Sequence, residues 1–177
     1  AASISGTVTD GSSTLSGVSV TAMDAVTNAT MRSSATTGAN GVYTITGLVP
    51  GSYKLRVNPG STGFATQWYP DVPDQNLGTS VTVAAGTNGP FDFSLDAGGN
   101  IAGIITRASD GLPVSGIYVN VHDAVTGTYI QSSSSSAGNG SYTLYGLVPG
   151  KYKVRASAGN AGLVTKWYDN ADQQTAI

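Results

Sequence analysis

One histidine, His122, and ten acidic residues that are all aspartate are the imidazole and carboxyl side chains this chain can bring to chemistry, because it has no glutamate and no cysteine. A Ser–His–Asp relay needs an imidazole held between a nucleophile and a carboxylate. His122 closes the alternating run "GIYVNVH" on its outward side, so it reads as a surface histidine and no catalytic residue is assigned. Structural or catalytic zinc needs three or four nitrogen and sulfur donors, and one imidazole without thiols is too few. No cofactor is expected.

Aspartates recur in two loops, "YPDVPDQN" and "YDNADQQ", which bring Asp71, Asp74 and Asn76, or Asp169, Asn170 and Asp172, close together. Such oxygens suit Ca²⁺ by donor type, which makes Asp71, Asp74, Asp169 and Asp172 the metal candidates, but the spacing and glutamate of an EF-hand are missing. Equally, an Asp in a turn accepts hydrogen bonds from backbone N–H groups two residues on, which makes both loops plain turns. Each loop follows a Trp-Tyr pair, Trp68-Tyr69 and Trp167-Tyr168. Alternation counted from Phe64 and Leu163 turns the tryptophans inward and the tyrosines outward. An aromatic ring beside Asp and Asn is a sugar-binding combination; a pair present twice suits a core role as well.

The elements that must carry these groups are short and alternate with period two. "SISGTVT" places Ile4, Gly6 and Val8 on one face, and "GVSVTAM" places Val18, Val20 and Ala22 inward. "ATMRSSA" follows, and Asn40-Gly41, a hairpin signal that tolerates positive φ at both places, leads into "VYTITGL". Pro50-Gly51 turns the chain into "SYKLRV", with Tyr53, Leu55 and Val57 inward, before "FATQWY", "TSVTVAA" and "PFDFSL". No segment sustains a helical period.

The series then repeats. "GLVPGSYKLR" at 47–56 returns as "GLVPGKYKVR" at 146–155, with "DAVTN" answered by "DAVTG", Asn40-Gly41 by Asn139-Gly140, and Trp68-Tyr69 by Trp167-Tyr168. A fixed internal period is the signature of tandem architecture. The expected fold is all-β, with tandem Greek-key sandwiches at residues 1–97 and 98–177 joined near "DAGGN", and the second copy lacking its closing strand. "TSVTVAAGTNGPFDFSL" of the first copy is answered only by "TAI", so either the natural chain continues with a strand like "PFDFSL" or a neighbour supplies one. The tyrosine after each Pro-Gly corner, Tyr53 or Tyr152, should anchor its strand in the core.

The pattern "G-L-x-P-G-x-Y-x-L/V", preceded by "N-G-x-Y-T" and an opening "I-x-G-x-V/I", resembles the carboxypeptidase regulatory-like and collagen-adhesin (Cna) B-type domains. The resemblance covers nearly the whole chain. It implies a prealbumin-like sandwich of a bacterial surface or secreted protein, serving as stalk, adhesin module or accessory module. Many collagen-adhesin B-type domains carry an isopeptide bond from a first-strand Lys, promoted by a buried acid. Here "SISGTVT" and "NIAGIIT" contain no Lys and the chain no Glu, so none is expected.

Residues that differ between copies are not demanded by the shared scaffold. Tyr118, Tyr129 and Tyr145 replace Ser19, Thr30 and Thr46, all on outward positions, with Tyr118 and Tyr129 on one outer face. They fit cross-strand packing, domain contact or a ligand platform. A net charge of -2 and 10% charged residues give no electrostatic footprint for nucleic acid. No apolar run is long enough to span a membrane as a helix, so membrane insertion is not expected. These features fit a non-catalytic extracellular or cell-surface module acting as spacer or adhesive stalk. The alternative is a carbohydrate-binding accessory module of a polysaccharide-degrading enzyme. The expected partners are the rest of a parent polypeptide and a polysaccharide or surface protein.

Overall fold

The computed structural model describes residues 1–33, 36–133, 136–158 and 162–168. The chain divides into two compact units, Ala1–Gly99 with Tyr145–Val148, and Asn100–Leu144 with Pro149–Ile177. Among the described residues there is no α-helix.

The first copy contributes β1 (Ala2–Thr9), β2 (Ser19–Asp24), β3 (Thr30–Ser33), β4 (Val42–Leu48), β5 (Gly51–Asn58), β6 (Gln67–Trp68), β7 (Val81–Val83), β8 (Gly86–Asn88) and β9 (Phe93–Ser94). One sheet has β1 at its centre, with antiparallel β4 on one side and parallel β8 and β9 on the other. The facing sheet runs β3-β2-β5, and β6 and β7 share the far edge of β5. β1 alternates strictly between buried and half-buried positions, and Val18, Val20 and Ala22 are fully buried. Alternation along a pleated strand therefore supplies both inner layers.

The shared corners are scaffold. Tyr53 is buried and its hydroxyl donates to Val49 O at 2.6 Å, tying the start of β5 to the Pro-Gly corner. Asp24 Oδ1 accepts from Val26 N, Thr27 N and Thr27 Oγ1, and Asp123 Oδ1 accepts the same three bonds from Val125 and Thr126. These bonds hold both carboxyls below the usual carboxylate range. The Asn40-Gly41 turn differs from the expected pair of positive φ values. Only Gly41 is left-handed, at φ 69, because the turn spans Gly38 to Gly41 and closes with Gly41 N–H donating to Gly38 O.

The end of the first copy is less regular than "PFDFSL" implies. Residues 79–95 first pair with β5 through β7, then switch sheets and follow β1 in parallel. Phe91 N donates to Ser5 O, Thr7 N donates to Asp92 Oδ1, and Leu95 N donates to Thr9 O. Phe93 and Leu95 are buried, and Phe91 is half-buried. Strand β8 has no apolar alternation in its sequence. It is held by Asn88, whose side-chain amide donates to Ser3 O and Ala84 O.

The second copy contributes β10 (Gly99–Ile104), β11 (Tyr118–Asp123), β12 (Tyr129–Ser132), β13 (Ser141–Leu147), β14 (Tyr152–Ser157) and β15 (Lys166–Trp167). These form the pair β10-β13 and the sheet β12-β11-β14-β15. The order repeats that of β1-β4 and β3-β2-β5-β6. Among the described residues nothing answers β7, β8 or β9.

Candidate functional site

On β11, Val119 and Val121 are buried, so alternation turns Tyr118, Asn120 and His122 to the outer face of their sheet. Register adds the neighbours: Tyr129 on β12 lies opposite His122, Lys153 and Arg155 on β14 lie opposite His122 and Asn120, and Trp167 on β15 lies opposite Arg155. Four residues of strand separate Tyr118 from His122, roughly 13 Å.

His122 is the pivot of this face. Its ring lies 5.8 Å from Tyr129, edge-on, and 5.0 Å from Trp167, leaving the residue only 8% exposed. Nδ1 is 3.1 Å from Gly127 O; a carbonyl can only accept, so Nδ1 carries the proton in that bond. Nε2 is buried with no hydrogen-bond partner among the described residues, as is Nε of Arg155, whose guanidinium lies 5.6 Å from the Trp167 ring centre. Tyr118 and Tyr129 remain about half exposed. Among the described residues the one hydrogen bond of the His122 ring runs to a backbone carbonyl and none to a carboxylate or hydroxyl. The face presents flat rings and cationic donors.

The first copy lacks most of this. At the same positions it carries Ser19, Thr21, Met23 and Thr30, and only Lys54, Arg56 and Trp68 are shared in kind. His122, Asn120, Lys153 and Arg155 carry no binding signal in their own strand sequences, where alternation makes each an ordinary outward polar residue. The copy comparison that selects Tyr118 also selects His122, where the counterpart is Met23.

The alternation expected for the Trp-Tyr pairs is overturned for Trp68, Tyr69 and Trp167, while Tyr168 is exposed as expected. Register puts Gln67 opposite Val57 and Trp68 opposite Arg56. Gln67 therefore takes the core place, bonded to Asp71 O and the Asp96 carboxylate, and Trp68 lies on the outer side of the sheet. Trp68 is nonetheless buried, through paired backbone bonds with Val72 and close approach of Gly78. Tyr69 turns inward instead, edge-on to Phe91 at 5.5 Å and Phe93 at 5.9 Å. Only Gln67 and Trp68 lie on the strand, so parity counted from Phe64 does not reach them. Trp167 likewise occupies the outer side, opposite Arg155, while Tyr168 is 68% exposed. Tyr145, 43% exposed, lies on β13, which pairs with β10 and not with the sheet that carries Tyr118.

The Asp loop has a structural part to play. Asp71 adopts φ 51, and its carboxylate accepts from Ser94 N at 3.0 Å, pinning β9. Burial pushes its carboxyl above the usual range, and Asp96 adds to the shift. Asp74 Oδ1 accepts from Asn76 N at 2.7 Å, a turn bond. Asp169 and Asp172 lie outside the described residues. Among the described residues no group of three or more His or Asp side chains is placed to hold an ion.

No curated protein matches the chain. Among solved structures it is similar to the Bacillus anthracis TIE protein (14% identity, TM-score 0.37, 97% of this chain and 31% of that one). It is also similar to a streptococcal ancillary pilin (15%, 0.34, 87% and 52%) and to the shaft pilin SpaA of Lactobacillus rhamnosus GG (12%, 0.36, 97% and 95%). The chain thus spans about a third of the first of these proteins and about half of the second. The model of the carboxypeptidase regulatory-like domain matches residues 3–96 and again 100–176. The chain belongs to the carboxypeptidase regulatory-like domain family, and the family model matches it twice in tandem.

Proposed function

We propose that this tandem pair is a non-catalytic module of an extracellular or surface protein, acting as spacer or adhesive stalk. The observation that carries this reading is the role of what the two copies share. The Asp24 and Asp123 turns and the Tyr53 corner are built into the scaffold. The tyrosines particular to the second copy, Tyr118, Tyr129 and Tyr145, are exposed. Sparse charge and many Ser, Thr and Gly residues fit such a role, and the family match supports a module rather than a complete enzyme.

A second reading has its own observation. Tyr118, Asn120, His122, Tyr129, Arg155 and Trp167 form one aromatic and cationic face that the first copy does not duplicate. Rings of this kind stack on the apolar faces of pyranoses, and the cations suit acidic sugars. Affinity electrophoresis through gels containing neutral and uronate-bearing polysaccharides separates the two. No retardation on any of them supports the stalk. Retardation abolished by Tyr118→Ala and by Tyr129→Ala supports the binding module.

A further inference from the structure

We infer that the first unit has a further function, bearing tension: the parallel seam between β1 and residues 86–95 is a shear clamp that resists stretching of the unit from its two ends. Its use in a parent protein rests on the stalk reading; its physics rests on strand direction. β1 carries the first residues of the unit, β8 and β9 carry residues close to its last, and both pair with β1 in parallel. Tension on the two ends therefore draws β1 one way and β9 the other. The neighbours must slide past each other before either leaves.

Bonds cross this seam along its whole length. Gly86 N donates to Ala1 O at 3.4 Å, Asn88 Nδ2 to Ser3 O at 3.1 Å, Phe91 N to Ser5 O at 2.9 Å and Leu95 N to Thr9 O at 2.8 Å. Thr7 N donates the other way, to the Asp92 carboxylate at 2.8 Å. Every second residue from Ala1 to Thr9 thus holds one bond, because alternate residues of a strand turn their backbone groups to the same neighbour. A slide stretches all five together, and a hydrogen bond weakens steeply once its geometry is lost. Peeling the same seam from one end would load them one at a time.

The moving side of the seam is anchored beyond it. Phe91 is fixed at both backbone groups, since its carbonyl accepts from Tyr43 Oη at 2.6 Å, which carries load across β1 to β4. Gly6 leaves room for that crossing, because a Cβ there would collide with Phe91 O. Further along, Phe93 and Leu95 are buried, Ser94 N donates to the Asp71 carboxylate at 3.0 Å, and Asp96 N donates to Gln67 Oε1 at 3.0 Å. β9 cannot slide without drawing two apolar side chains from the core.

The remaining ladders are not at the ends. β4 pairs with β1 antiparallel, and β2, β3 and β5 lie in the interior of the chain, so tension reaches them only after the seam fails. Resistance to pulling is set by the unfolding rate along the pulled direction and not by equilibrium stability. One folded unit should therefore be strong along the seam and weak across it.

Single-molecule force spectroscopy on the 177-residue chain tests this, and because the chain has no cysteine, introduced pairs choose the direction of pull. Ala1→Cys with Ala97→Cys loads the seam in shear. Ala1→Cys with Ala85→Cys pulls both strands from the same end, where Gly86 N meets Ala1 O, and peels it. All three alanines are exposed. The expected rupture force is at least about threefold higher in shear than in peel at one pulling speed. Asp92→Ala, which removes the acceptor of Thr7 N, should lower the shear force. Equal forces in the two directions, or a shear force that Asp92→Ala leaves unchanged, overturn the clamp. Polysaccharide retardation is independent of either result, so a failed clamp is distinguishable from a failed stalk reading.

Discussion

At the residue scale, the two units differ most where a single atom decides whether another strand can approach. Gly6→Ala would place a Cβ against the backbone of Phe91, which cannot yield without moving the closing segment. The expected cost to the first unit is about 1–3 kcal/mol. Gly103→Ala meets only the ring of Tyr142 and should cost less. With Trp167→Phe as background, Trp68 is the sole tryptophan and reports the first unit; with Trp68→Phe as background, Trp167 reports the second, so each change is read by the denaturant midpoint of its own unit. Tyr43 gives a pH-dependent prediction. Burial, with Asp92 and Tyr69 nearby, raises its phenol above the ordinary value of 10.0. The folded state then keeps a proton that the unfolded state releases, so stability falls as pH rises past 10 toward the folded value. Tyr43→Phe should lower stability at neutral pH by about 1–2 kcal/mol through loss of the bond to Phe91 O, and should flatten the alkaline decline. An unchanged alkaline slope in the variant would contradict this assignment.

At the scale of elements, the strands with strong alternation are legible in the amino-acid pattern alone. Ile4 and Val8, then Val18, Val20 and Ala22, are all buried as their spacing requires. The closing segment is legible in composition and less so in form, because its pairing switches sheets between Val83 and Gly86. Strand β8 reads "GTN", and nothing in three polar or small residues signals a parallel partner; Asn88 side-chain bonds make it. The Trp-Tyr pairs escape parity for a related reason. A two-residue strand takes its facing from its ladder with β5, and a buried glutamine, Gln67, claims the inward place by bonding Asp96. The face around His122 is half legible: the copy-specific tyrosines mark it, while Arg155 and Trp167 join it only through register. Phe93 is the closing segment's main anchor, so Phe93→Ala should cost the first unit about 3–5 kcal/mol. The second unit's midpoint should not move, and a matching drop in both units would mean that their stabilities are not separate.

At the scale of the whole molecule, one scaffold is used twice, and among the described residues the two units bury their floors to different depths. In the first unit the closing segment covers both sheets, and burial of Val81, Val83, Phe93 and Leu95 contributes roughly 1.5–3 kcal/mol per side chain. The second unit keeps the same turns and the same glycine in β10, opens the floor beside it, and carries aromatic and cationic groups on its outer face. Native-state amide exchange on the 177-residue chain tests this asymmetry most directly. Thr7, Phe91 and Leu95 should exchange slowly, at rates set by opening of the first unit, and Ala102 and Ile104 should exchange far faster than Ile105 beside them. Protection of Ala102 and Ile104 equal to that of Thr7 would contradict the account.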